Sequence, residues 1–227
     1  MIKDLIKCGE KFLKSFDEET FSRYESWEFC YNIFQEMSKI KELQESEEEF
    51  LAMNLGFYLA SWGMYRGSTF LLQTNYKIHI PIVKIVKTFI EENKEQLKKD
   101  EFIQWEKIAE LKKNIKNHYE NIQIYKNGKK INVNVTDTLI TKIIMGTIGI
   151  VPAYDTNVKS VLDKLEITQT FNKKSYEKLY EFYLKHEKDL KELQDKVIKK
   201  RKIYYPKMKI LDMCFWQYYL DKIKKKN

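Results

Sequence analysis

Across 227 residues there are only three cysteines, three prolines, three histidines, three arginines and seven glycines. Each shortage excludes something. Cys8, Cys30 and Cys214 are odd in number, far apart and set among apolar positions. Neither a disulfide framework nor a zinc site is expected from them; they read as small core residues of a reduced, cytoplasmic protein. His79, His118 and His186 are scattered with no i, i+4 pair, so no metal is assigned, and nothing calls for a cofactor. Scarce glycine and proline beside abundant lysine and glutamate argue against a β-rich fold and for long helices. No stretch approaches the ~18 apolar residues of a membrane span, so no membrane partner is expected. Met1 to Phe16 is interrupted by Lys3, Asp4, Lys7, Glu10 and Lys11, so no signal peptide is expected either. A glycine-rich phosphate loop, a Ser/His/Asp set and an internal repeat are all missing.

What is present is ordinary for a folded protein: 43% hydrophobic and 33% charged residues. The length suits a single helical domain over 1–227, built as one body or as two lobes sharing a cleft. The net charge of +8 fits a polyanion such as nucleic acid, bound by phosphate neutralisation and counterion release. Almost all of that charge is lysine, and a Lys-, Asn- and Ile-heavy composition also follows from A/T-rich coding. Charge alone therefore names no partner.

Apolar periodicity carries most of the fold. Ile2, Leu5, Ile6, Phe12, Leu13 and Phe16 mark a first helix ending near Asp17-Glu18-Glu19. Trp27, Cys30, Tyr31, Phe34 and Met37 mark a second. Lys39–Glu49 reads as a solvated link containing a helix start. Phe50–Leu72 is apolar nearly all round, as expected of a helix through the middle of a domain. Helices follow at Ile82–Ile90 and Phe102–Tyr119. Alternation about Asn127-Gly128, within residues 121–135, signals a β-hairpin whose Lys126–Lys130 tip is an exposed turn. Asn172–Arg201 reads as one amphipathic helix, with Tyr176, Leu179, Tyr180, Tyr183, Leu184, Leu190, Leu193 and Val197 inward. Its end, Lys199–Lys202, either faces DNA or complements the helix dipole. After Tyr205-Pro206 a closing helix runs through Ile210–Tyr219, and the tail Lys224–Lys226 is solvated. The expected fold is all-α: a compact multi-helix body with one small hairpin.

Two places carry candidate chemistry. Gly56, Ala60 and Gly63 lie three or four residues apart, which lets a backbone or a ligand approach closely, and Trp62, Tyr65 and Arg66 cluster beside them. An arginine in a chain that nearly always chooses lysine points to bidentate pairing, with a carboxylate in a structural role or with a phosphate in a functional one. In the functional reading Trp62 stacks on a base and Arg66 contacts phosphate, as the walls of a pocket.

The second is Thr136–Ile167. Thr136 and Asp137 are helix-starting residue types before Leu139, Ile140, Ile143, Ile144 and Met145; Gly146, Gly149 and Pro152 end that run. Asp155 then opens another helix through Val158, Val161, Leu162 and Leu165, where a carboxylate caps free N–H groups. The segment Pro152-Ala-Tyr-Asp155-Thr-Asn-Val158 resembles the helix-hairpin-helix DNA glycosylases, in which a proline-containing loop leads to Val-Asp-Thr-His-Val and a basic helix. The resemblance implies that Asp155 is catalytic and that Tyr154 lines the pocket with Trp62 and Arg66. It implies that Thr136, Asp137, Thr138, Lys142, Asn157 and Lys159 contact nucleic acid, duplex DNA in that family. The family's glycine-rich hairpin is replaced here by Asn132–Thr136, its lysine by Asp137 and its histidine by Asn157. Without that lysine the implied activity is base removal by hydrolysis, with no strand cleavage. The alternative is a non-catalytic helical protein that binds nucleic acid or a protein partner, accessory to DNA modification or phage defence.

Overall fold

The helix periodicity translates into eleven α-helices and one two-stranded hairpin among the described residues, 1–18 and 21–224, of a computed structural model. The protein is all-α. The expectations at Glu19, Lys225 and Lys226 lie outside the described residues. The chain forms two compact units. One, the terminal unit, is built from residues 1–22 and 149–227; the other, the mid-chain unit, is residues 23–148.

The mid-chain unit holds α2 (Glu25–Met37), α3 (Glu45–Ser61), α4 (Ile80–Glu92), the short α5 (Lys94–Lys98), α6 (Trp105–Glu120) and α7 (Asp137–Thr147). Helix α3 packs on α2, α4 and α7, and α6 packs on α4 and α7. It starts earlier than its apolar residues suggest. The Glu47 carboxylate accepts the Gln44 backbone N–H at 2.7 Å, and Glu48 and Glu49 pair with Lys84 and Lys77. It also stops earlier, at Ser61, and is not buried all round: Phe50, Met53 and Phe57 are exposed. Gly63 (φ +76°) and Gly67 (φ +66°) turn left-handed, a conformation that glycine adopts without penalty, and two 3-10 turns replace the rest of the expected helix.

Helix α7 is buried from Leu139 to Thr147. The Trp27 indole N–H donates to the Met145 carbonyl at 2.8 Å, and the Gln35 side-chain amide donates to that of Thr147 at 2.9 Å. Gly146 lies inside this helix because the Tyr58 ring lies against it; a Cβ there would sit 2.3 Å from Tyr58 Cε1. The hairpin strands β1 (Ile124–Lys126) and β2 (Lys129–Ile131) pair Lys126 with Lys129, and the left-handed Asn127 and Gly128 form the predicted turn.

The terminal unit holds α1 (Ile2–Glu18), α8 (Thr156–Lys164), α9 (Lys173–Lys185), α10 (Glu187–Arg201) and α11 (Lys207–Tyr218). Helix α1 packs on α10 and α11, and α11 also meets α8 and α9. Residues Met208 to Gln217 of α11 are buried throughout. The single helix expected over Asn172–Arg201 is two, broken at His186 (φ −119°, ψ 22°). The break falls where charge changes sign: Lys185 sits in the last turn of α9, and Glu187 and Asp189 in the first turn of α10, each suited to its helix dipole. Leu184, expected inward, is exposed. Cys8, Cys30 and Cys214 are buried free thiols. Among the described residues no helix is long and apolar enough to cross a membrane.

Candidate functional site

The chain leaves α3 at Trp62, and the next five residues build a corner of the mid-chain unit. The Trp62 indole N–H donates to Ser26 Oγ at 3.1 Å, tying the corner to the first turn of α2. The Trp62 carbonyl accepts from Lys142 Nζ at 2.6 Å. The Arg23 guanidinium lies 5.2 Å from the centre of the Trp62 ring, within cation–π range, and the Tyr24 ring is 6.1 Å away. Arg66 follows after one left-handed glycine and precedes another. Its guanidinium passes over Gly63, where a Cβ would stand 3.2 Å from Nε and 3.3 Å from Cζ. Arg66 is exposed, and among the described residues no carboxylate pairs with it. Of the three arginines in the chain, Arg23 thus lies against the Trp62 ring and Arg66 over the neighbouring Gly63.

Of the residues singled out in the sequence, Trp62, Arg66 and Lys142 come together here. Lys142 does so as a buried residue, 5% exposed, whose ammonium is spent on the Trp62 carbonyl. It supports the corner from beneath and does not face solvent. Thr136 is the cap of α7, its hydroxyl oxygen accepting from the Leu139 N–H at 3.2 Å. The Asp137 carboxylate is held by Lys112 at 2.7 Å, and the Thr138 carbonyl accepts from the Thr141 hydroxyl.

Tyr154, Asp155, Asn157 and Lys159 belong to the terminal unit. One Asp155 oxygen accepts the backbone N–H groups of Asn157 and Val158 at 3.0 and 3.1 Å, so this half-buried carboxylate caps α8. Its carbonyl begins the helical ladder to the Lys159 N–H at 2.9 Å. The turn before it is firmly held. Asp212 on α11 accepts the Ala153 N–H at 2.9 Å with one oxygen and pairs with Lys209 at 3.2 Å with the other. Tyr154, expected at a pocket wall, is fully buried instead, its hydroxyl 2.6 Å from Ser175 Oγ and its ring against Phe171. A phenol with a buried partner is a stable core residue, which is why its position beside Asp155 misleads.

Sequence reasoning missed Arg23, Ser26 and the role of Gly63. The rarity that drew attention to Arg66 applied equally to Arg23; nothing in the sequence placed them side by side. The basic run Lys199–Lys202 is the opposite case. Lys200 pairs with Asp17 at 2.5 Å, the Arg201 guanidinium lies 4.1 Å from the centre of the Phe16 ring, and Lys202 ends α10 in the left-handed region.

Set against protein-family models, curated proteins and solved structures, the chain matches none of them.

Proposed function

We propose that this protein acts on DNA and holds the strand at the Trp62 corner. The observation that supports this is Arg66: an exposed guanidinium without a carboxylate partner among the described residues, laid over a glycine beside a tryptophan. Guanidinium binds phosphate with two parallel hydrogen bonds, and an indole stacks on any base, so the pair recognises a nucleotide with little regard to sequence.

The resemblance at Asp155 supplies the chemistry of the proposal, that of a monofunctional helix-hairpin-helix-type glycosylase. The target base, damaged or modified, is flipped out of the stack because its glycosidic bond is out of reach within the duplex. As the C1′–N bond breaks, the Asp155 carboxylate stabilises the cationic sugar and takes a proton from the attacking water. The water oxygen ends on C1′, and the base leaves with a proton. No lysine stands at the family's position, so the abasic strand is left intact.

A second reading, a non-catalytic nucleic-acid-binding or accessory protein, is favoured by one specific observation: Asp155 already serves as the cap of α8. One experiment separates the two. Base release is measured on duplexes carrying damaged and modified bases, for wild type and Asp155→Asn, with alkali to reveal abasic sites. Release by wild type that is lost in Asp155→Asn supports the glycosylase. No release, with salt-dependent DNA binding equal in both proteins, supports the accessory protein. A borohydride-trapped protein–DNA adduct would overturn the monofunctional assignment.

A further inference from the structure

Behind the Trp62 corner runs a chain of three rings. The Tyr65 hydroxyl is 2.7 Å from His79 Nε2, and His79 Nδ1 is 2.7 Å from the Tyr119 hydroxyl. His79 closes the 3-10 turn Tyr76–His79 just before α4, and Tyr119 belongs to α6. Both are fully buried, while Tyr65 is half-buried. Gly56 on α3 lies alongside the chain: a Cβ there would be in ordinary van der Waals contact, 3.5 Å from His79 Cδ2 and 3.6 Å from the Tyr65 oxygen.

A neutral imidazole has one donor and one acceptor, so between two hydroxyls it is fully satisfied, and it loses that balance if either hydroxyl goes. Burial, with the nearby His118 second, pushes the His79 pKa down to about 3. Burial pushes the Tyr65 hydroxyl up to about 12 and that of Tyr119 well above 10. None of the three exchanges a proton in the neutral range, so the chain is a mechanical tie. His79 and Tyr119 are buried polar groups where leucine or phenylalanine would fill the core without needing partners, and their pairing with the half-buried Tyr65 directs attention to what they hold.

They hold the loop that carries Arg66. Its first residue, Trp62, is fixed by Ser26 and Lys142. Beyond Trp62 the backbone passes through left-handed glycines at 63 and 67, where it has the most freedom. Tyr65 is the side chain between them that reaches a buried partner, and Arg66 is its immediate neighbour. We propose that Tyr65, tied through His79 to Tyr119, is a positioning residue that presents the Arg66 guanidinium to a phosphate of the bound strand. The proposal rests on the Trp62 corner being the DNA contact.

The test is a double-mutant cycle of Tyr65→Phe and Arg66→Ala, read as Kd for a short fluorescein-labelled DNA duplex at about 50 mM salt, where phosphate contacts count most. Tyr65→Phe removes a single hydroxyl, and circular dichroism and thermal melting confirm that the variants remain folded. The expected result is a loss of about threefold to tenfold in the wild-type background and none in the Arg66→Ala background, because the two changes share one mechanism. His79→Gln is expected to show the same dependence on Arg66 and carries the test if Tyr65→Phe melts early. Equal losses in both backgrounds, or no loss in either, overturn the proposal while leaving the corner reading intact. Wild type and Arg66→Ala binding the duplex equally well would overturn the corner reading and the proposal with it.

Discussion

Two places among the described residues where an arginine lies against an aromatic ring, Arg201 on Phe16 and Arg23 on Trp62, are built from the same parts and put them to different use. At the end of α10 the guanidinium of Arg201 sits on Phe16 of α1, and Lys200 beside it closes an ion pair with Asp17. Those cations bind one helix of the terminal unit to another. At the Trp62 corner, Arg66 has no carboxylate partner among the described residues and is exposed. The denser basic run in the sequence is the committed one, and Arg66, exposed and without a carboxylate partner among the described residues, is the one on which the proposed DNA contact turns. The density of a basic run therefore says little about its availability; what decides is whether a carboxylate, a carbonyl or a ring of the same chain has reached it first.

The comparison breaks most severely if the scaffold under the corner is disturbed. Gly146→Ala forces a methyl into the Tyr58 ring and is expected to destabilise the protein by about 3 kcal/mol, the upper range for overpacking, in denaturant titrations. The next largest effect follows acidification. The folded pKa of His79 lies below its unfolded value of about 6.5. Its contribution to stability is therefore complete above that value and is lost as pH falls from there towards about 3. Between about pH 7.5 and 5 the wild-type unfolding free energy should fall by about 2 kcal/mol more than that of His79→Gln.

Arg66→Ala should weaken DNA binding by about tenfold and lower the slope of log Kd against log salt by about one, the signature of one lost phosphate contact. Lysine at this position should restore the slope but not the full affinity, because an ammonium cannot make the bidentate contact. The smallest effect sharpens the contrast. Arg201→Ala should leave DNA binding within about twofold and lower stability by about 1 kcal/mol, as the loss of a cation–π contact does, visible as a small drop in Tm.

The helices were legible where apolar residues repeat and a cap follows or precedes them. Asn127-Gly128, Thr136 and Asp155 each announced the local structure that they form. The break at His186 was hidden because Tyr183 and Leu190 stay in phase across it, seven residues apart; only the change from Lys185 to Glu187 marked it. The end of α3 was hidden because Phe70 and Leu71 continue an apolar run through two left-handed glycines. At the candidate site Trp62 and Arg66 were legible through rarity and clustering. Arg23 was not, since it lies 39 positions before Trp62 and no periodicity spans a loop. Lys142 and Tyr154 show the converse: each is a residue of the right type near a suspected site, and each is turned inward by a buried partner that no local pattern reveals.

The division of the chain has a consequence for its biosynthesis. Residues 23–148 are contiguous, so the mid-chain unit can close its core as soon as Ile148 clears the ribosome. Helix α1 is made before that unit but packs on α10 and α11, which are made after it. It must therefore wait as a nascent amphipathic segment while the whole intervening unit is synthesised. Vectorial translation thus lets a segment synthesised before the mid-chain unit find its place only after that unit is complete.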